Sequence, residues 1–177
     1  MTRFAILLTL TTLLGLAACS KPANPGNAET TVQPANNAVK RVGSTDVVKA
    51  EPEPVDIATG GSSEATIRLT IQNGYHVNAN PPTYPYLIPT ALEVSPQDGL
   101  SVGQISYPAP INIKLAFAEK PLAVYEGQTA IKATMKADDS VQPGERTIPA
   151  KLRIQACDDQ VCFPPGSIEI AIPVRVK

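Results

Sequence analysis

Over residues 55–177, apolar and polar positions alternate with a period of two, the pattern of strands that bury one face. Ile67, Leu69 and Ile71 alternate with Arg68 and Thr70. Ile148, Ala150, Leu152, Ile154 and Ala156 alternate with polar or proline positions. Ile168, Ile170, Ile172, Val174 and Val176 form the clearest run, with Glu169 and Arg175 on the opposite face. Shorter candidates are Leu92–Val94, Leu100–Val102, Ile105–Tyr107, Ile111–Phe117, Leu122–Val124 and Ile131–Met135. Turn-forming clusters separate them: Gln72-Asn73-Gly74, Pro96-Gln97-Asp98-Gly99 and Gln142-Pro143-Gly144-Glu145. No stretch sustains a helical period, and prolines interrupt most candidates. Roughly seven to nine short strands at this spacing predict an all-β domain, an immunoglobulin-like antiparallel β-sandwich.

The N-terminal third is built differently. Residues 1–18 carry one positive charge at Arg3, an apolar core from Phe4 to Leu16, and then small residues. That is secretory signal architecture, shorter than the roughly 20 residues that span a bilayer. Its end, Leu16-Ala17-Ala18-Cys19, resembles the lipobox of bacterial lipoproteins, in which the cysteine is lipidated and becomes the first mature residue. The competing reading is an ordinary signal with a cysteine there by chance. Several acyl chains on Cys19 would make attachment to the membrane effectively permanent. By the same resemblance, Ser20 in place of an Asp favours the outer membrane over the inner.

Residues 19–54 are rich in Ala, Asn, Pro, Thr and Val and lack aromatic side chains. Such a segment cannot bury enough apolar surface to offset its ordering entropy, so it is expected to be a disordered tether. About 35 flexible residues reach roughly 30–35 Å. A leash that lets the head find partners and a passive spacer fit this sequence equally. The expected organisation is signal 1–18, lipidated tether 19–54 and β-sandwich head 55–177.

Charge excludes some functions. Loss of Arg3 with the signal takes the formal charge from −1 to −2, and no basic stripe is present, which argues against nucleic acid. No glycine-rich phosphate loop appears, and no serine sits in an activated-nucleophile motif. His76 is the only histidine. With Cys157 and Cys162 it would supply three of the four ligands a structural metal site takes, so it reads as a structural or surface residue. No metal or cofactor is expected.

Cys19 apart, two cysteines remain, both in Gln155-Ala156-Cys157-Asp158-Asp159-Gln160-Val161-Cys162-Phe163-Pro164-Pro165. They fall between the Ile148–Ala156 and Ile168–Val176 runs, at the connection of a hairpin. In an exported protein such a pair is either a staple or a redox couple. A bridge over so short a loop contributes about 2 kcal/mol, modest beside long strands that already carry a core. That weakens the staple reading and leaves both open. Asp158 and Asp159 would oppose thiolate formation, unlike a cysteine pair at a helix start. A pair of this kind suits a disulfide reduced by specific partners after docking.

Several motifs occur in a familiar order: Gly74-Tyr75-His76-Val77-Asn78-Ala79-Asn80-Pro81-Pro82, Leu87-Ile88-Pro89-Thr90, Tyr107-Pro108, Tyr125-Glu126-Gly127 and the cysteine segment. Together they resemble the N-terminal periplasmic domain of the thiol:disulfide interchange protein DsbD across essentially all of residues 55–177. The resemblance implies an immunoglobulin-like domain whose two cysteines relay electrons from a membrane-embedded reductase to periplasmic acceptors. Those include disulfide isomerases and thioredoxin-like proteins of cytochrome c maturation. Cys157 and Cys162 match the redox pair. The resemblance also implies a cap loop whose aromatic side chain shields the cysteines until a partner docks. Ala116-Phe117-Ala118-Glu119-Lys120 falls in that region. Phe117 is the candidate cap and Glu119 a candidate acidic neighbour. Phe117 also ends the alternating run Ile111, Ile113, Leu115, so core packing competes with the cap reading.

The chain also departs from that family. Full-length DsbD continues into membrane spans and a thioredoxin-like domain, and some members place one more residue between the cysteines. On this reading the protein has no electron source of its own. The expected function is thiol–disulfide interchange through Cys157 and Cys162 at the periplasmic face of a bacterial membrane, with electrons from a separate membrane reductase. The alternative is a non-catalytic binding module of the same fold with a structural disulfide.

Overall fold

The computed structural model of the protein describes residues 42–177. The signal, Cys19 and the tether up to residue 41 lie outside the described residues. Among the described residues, a 3-10 turn, Ser44–Asp46, precedes twelve strands. They are β1 (Val48–Pro52), β2 (Val55–Ile57), β3 (Ser62–Ile71), β4 (His76–Asn78), β5 (Ala91–Val94) and β6 (Leu100–Ser106), followed by β7 (Ile111–Ile113), β8 (Leu122–Tyr125), β9 (Gln128–Ala137), β10 (Gly144–Ile154), β11 (Ala156–Cys157) and β12 (Gly166–Val176). They form three four-stranded sheets, ordered β1-β3-β9-β6, β2-β12-β10-β5 and β11-β4-β8-β7.

The first two sheets hold the long strands and share one core. Side chains on successive residues point to opposite faces, so alternation in sequence becomes alternation in burial. Ile67, Leu69, Ile131, Ala133 and Met135 of the first sheet meet Ile148, Leu152, Ile154, Ile172 and Val174 of the second in a single cluster. Each fully buried Leu or Ile contributes about 1.5–3 kcal/mol. The expected all-β, immunoglobulin-like sandwich is the fold observed. The β10–β12 hairpin is its longest ladder, running from Gly144↔Val176 to Ile154↔Gly166. The cysteine turn leaves from the end of that ladder.

Four details differ from the pattern-based expectation. Within the span expected as tether through Pro54, the described residues include the Ser44–Asp46 turn and the strand β1. β1 pairs with β3 from Val48↔Ile71 to Pro52↔Ile67. Its Val-Lys-Ala-Glu-Pro sequence reads as linker because it is an edge strand, where backbone pairing suffices and Lys and Pro are tolerated. Second, the chain changes sheets between β1 and β2, and β2 lies parallel to β12 in an otherwise antiparallel structure. Third, the expected strand Ile111–Phe117 ends at Ile113, and the following residues form a loop. Leu100–Val102 and Ile105–Tyr107, expected as separate strands, lie largely within β6, interrupted by a register shift between Val102 and Ile105.

Candidate functional site

The site lies on the third sheet, whose strands are two to four residues long. Gln155 marks the departure: β10 ends at Ile154 in the second sheet, and Ala156–Cys157 pair with β4 in the third. Across that ladder Ala156 faces Val77, and Cys157 faces His76. Ala156 and Val77 point into the main core. Cys157 points the other way, into a smaller cluster with Leu87, Leu115, Ala118, Leu122 and Val124.

Cys157 and Cys162 form a disulfide with their Cα atoms 3.9 Å apart. The segment between them is a miniature hairpin, closed by Asp158 N–H donating to Val161 O at 3.0 Å and Phe163 N–H donating to Ala156 O at 2.8 Å. Asp158 Oδ1 accepts from the backbone N–H groups of Gln160 and Val161, both at 2.8 Å. This carboxylate therefore builds the turn, a role its charge alone did not suggest. The two cysteines are unequal: Cys157 is 1% exposed, whereas Cys162 is partly open.

Polar side chains from distant segments hold this turn. Gln155 Oε1 accepts from Asn78 Nδ2 and from Ile88 N–H, both at 3.1 Å, and its Nε2 donates to Phe163 O at 3.3 Å. Ser44 Oγ accepts from Ala156 N–H at 2.9 Å and donates to Pro164 O at 2.7 Å, clamping both sides of the disulfide. Composition gives no signal for Gln155, Asn78 or Ser44, because their partners lie far away in sequence.

Cys162 lines a cavity of about 680 Å³ with Tyr84, Tyr86, Phe117, Glu119 and Val161. Phe117 is 44% exposed, so it does not pack in the core as the alternating run allowed; Leu115 does. The loop presenting Phe117 is pinned at both ends. Lys114 Nζ donates to the carbonyls of Ala118 and Glu119, and Lys120 N–H donates to Tyr84 Oη at 3.2 Å. Tyr84 stacks on Tyr86, with centroids 5.1 Å apart. The structure thus brings Cys162, Phe117 and Glu119 to one cavity and keeps Cys157 beneath it. Among the described residues, no group of three or more His, Cys, Asp or Glu side chains is arranged to hold a metal ion. His76 is buried, with Nε2 3.4 Å from Glu126 Oε2.

Residues 44–172 match the family described as thiol:disulfide interchange protein DsbD, N-terminal. The chain belongs to that family. As a DsbD N-terminal family member, it carries the fold of the N-terminal periplasmic domain of ScsB from Proteus mirabilis. That structure superposes with a TM-score of 0.53 at 14% identity, over 72% of this chain and 46% of the ScsB chain. The protein therefore spans about half the length of that relative. The reduced N-terminal domain of DsbD from Neisseria meningitidis gives a TM-score of 0.47 at 18% identity, over 77% and 92% of the two chains. No match was found among curated protein sequences. No described helix is long and apolar enough to cross a membrane.

Proposed function

We propose that the protein is a thiol–disulfide relay in which Cys157 and Cys162 take electrons from a separate membrane-embedded thiol reductase and pass them to periplasmic thioredoxin-like proteins or disulfide isomerases. The observation that carries this reading is the unequal exposure of the two cysteines. Cys162 opens into a cavity rimmed by Phe117, Tyr86 and Val161, and Cys157 is buried behind it. A structural staple needs no such opening. Sulfur reached from one side by an incoming thiolate does, because exchange proceeds through direct attack and a mixed disulfide.

The exchange follows from that geometry. A partner thiolate attacks Cys162 Sγ, the Cys157–Cys162 bond breaks, and its electron pair leaves on Cys157 Sγ, which takes a proton. The partner's second thiol then attacks its own sulfur in the mixed disulfide and releases Cys162 as a thiol. The partner ends as a disulfide and this protein as a dithiol; the reverse sequence delivers both electrons to an acceptor. Phe117 caps the approach to Cys162, and Glu119 places an acidic group at the same cavity. Lipidation at Cys19 would hold the head at the periplasmic face of the outer membrane.

The reduction potential of the pair in the full chain, equilibrated against glutathione or dithiothreitol, tests this. A relay requires a value above roughly −300 mV. A Cys157→Ala variant, which keeps the accessible sulfur, should then trap a partner as a mixed disulfide. A potential well below that value with no trapped species makes the bridge structural and the domain a binding module.

A further inference from the structure

The relay leaves a buried ionisable group, His76, unused. His76 is 7% exposed, and its Nδ1 is buried without a hydrogen-bond partner among the described residues. A buried unpartnered polar atom is costly and calls for an explanation. His76 is also the residue directly opposite Cys157 in the β4–β11 ladder. Directly opposed residues project from the same face, with Cβ atoms about 4.5–5.5 Å apart. Because Val77 and Ala156 fill the main core, this shared face is the one beneath the cavity. The second ring nitrogen, Nε2, lies 3.4 Å from Glu126 Oε2.

We propose that His76, supported by Glu126, is the acid–base partner of Cys157. The inference rests on the relay reading. When an incoming thiolate bonds to Cys162 Sγ, the departing electron pair places a negative charge on a sulfur that water barely reaches. An imidazolium across the ladder offsets that charge and shares its proton with Cys157 Sγ, so that the reduced pair exchanges between thiolate–imidazolium and thiol–imidazole. In the outward direction the imidazole takes the proton back as Cys157 Sγ re-forms the bond to Cys162 and the acceptor leaves as a thiol. Glu126 stabilises the imidazolium between the two steps. In the oxidised state the sulfur carries no charge, consistent with the unpartnered Nδ1. The other charged groups on the elements of this sheet and its loops are Asp158 and Asp159 in the cysteine turn, and Lys114, Glu119 and Lys120 in the β7–β8 loop. Of these, Asp158 is committed to backbone N–H groups and Lys114 to backbone carbonyls.

The test is a titration of the full chain in both redox states, followed by NMR of the one imidazole, whose assignment is unambiguous because the chain has a single histidine. Coupled groups titrate with shared steps. Reduction should therefore move the imidazole midpoint upward, and the same inflection should appear in the Cys157 Cβ resonance. His76→Phe should lower the thiolate fraction of reduced Cys157 near neutral pH about tenfold or more, the usual effect of removing an adjacent opposite charge. Glu126→Gln should lower it less. If His76→Phe does not fold, the wild-type titration alone decides. A pair that resists excess dithiothreitol overturns the relay, and this inference with it. A pair that reduces but leaves the imidazole midpoint where it was overturns the inference alone.

Discussion

The long-stranded sandwich and the small third sheet achieve cohesion by opposite means. In the sandwich, strands of up to eleven residues alternate buried and exposed positions, and stability is spread over many interchangeable apolar contacts. In the third sheet, β4 and β11 are three and two residues long and bury every position. Individual polar atoms hold it: Gln155 on Asn78, Ile88 and Phe163, Ser44 on Ala156 and Pro164, Thr90 Oγ1 on Asn78 O at 2.7 Å, and Thr83 Oγ1 accepting from Ala123 N–H at 2.6 Å. Distributed packing gives a scaffold that tolerates change. Point-by-point fastening gives a site whose geometry, and hence reactivity, each side chain can alter. Stability and chemistry should therefore respond to different substitutions.

The largest effect on stability belongs to the sandwich. Leu152 is fully buried between Leu92 of β5 and Ile168 of β12. Leu152→Ala should lower stability by about 2–5 kcal/mol in urea unfolding. It should leave the rate of disulfide reduction in the folded protein unchanged. A faster reduction well below the unfolding transition would mean that the two regions are mechanically coupled and the contrast is false.

A smaller loss with a larger chemical consequence is expected at the seam. Gln155→Ala removes the acceptor shared by Asn78 and Ile88 and the donor to Phe163. Leaving such buried groups unpaired costs about 1–3 kcal/mol. The released turn should expose Cys157, which hydrogen exchange of residues 156–163 and the dithiothreitol reduction rate would both register. Reduction at the wild-type rate would show that the apolar cluster alone holds the sulfur in place.

The same division explains what the sequence made legible. β3, β9, β10 and β12 could be read because burial follows the period-two pattern that betrays it. β4 and β11 have no alternation to read, since both faces are covered. β1 was hidden by linker-like composition at a sheet edge. At the candidate site, the cysteine pair was legible from residue type and spacing, and the position of Phe117 on the same cavity as Cys162 from the family resemblance. Ser44 was not, because its partners Ala156 and Pro164 lie 112 and 120 residues away. Nor was the placement of His76 opposite Cys157, which depends on strand register across the fold. Local patterns encode the scaffold, whereas the site arises from contacts between remote segments.

The sharpest form of the comparison is a substitution with almost no effect on stability and a clear effect on chemistry. Phe117 is 44% exposed, lies at the apex of a loop fastened by Lys114 and Tyr84, and shares its cavity with Cys162. Its neighbours Leu115 and Ala118 supply the loop's buried contacts, so Phe117→Ala removes little packing. Stability should change by no more than about 0.5 kcal/mol, the usual range for a surface position. Loss of the ring widens the approach to Cys162 Sγ, so reduction by a small dithiol should quicken several-fold. Leu115→Ala, which empties the cluster beneath, should instead destabilise the loop. If Phe117→Ala leaves the reduction rate unchanged, the ring does not shield the sulfur, and access to Cys162 is set by Tyr86 and Val161 across the cavity.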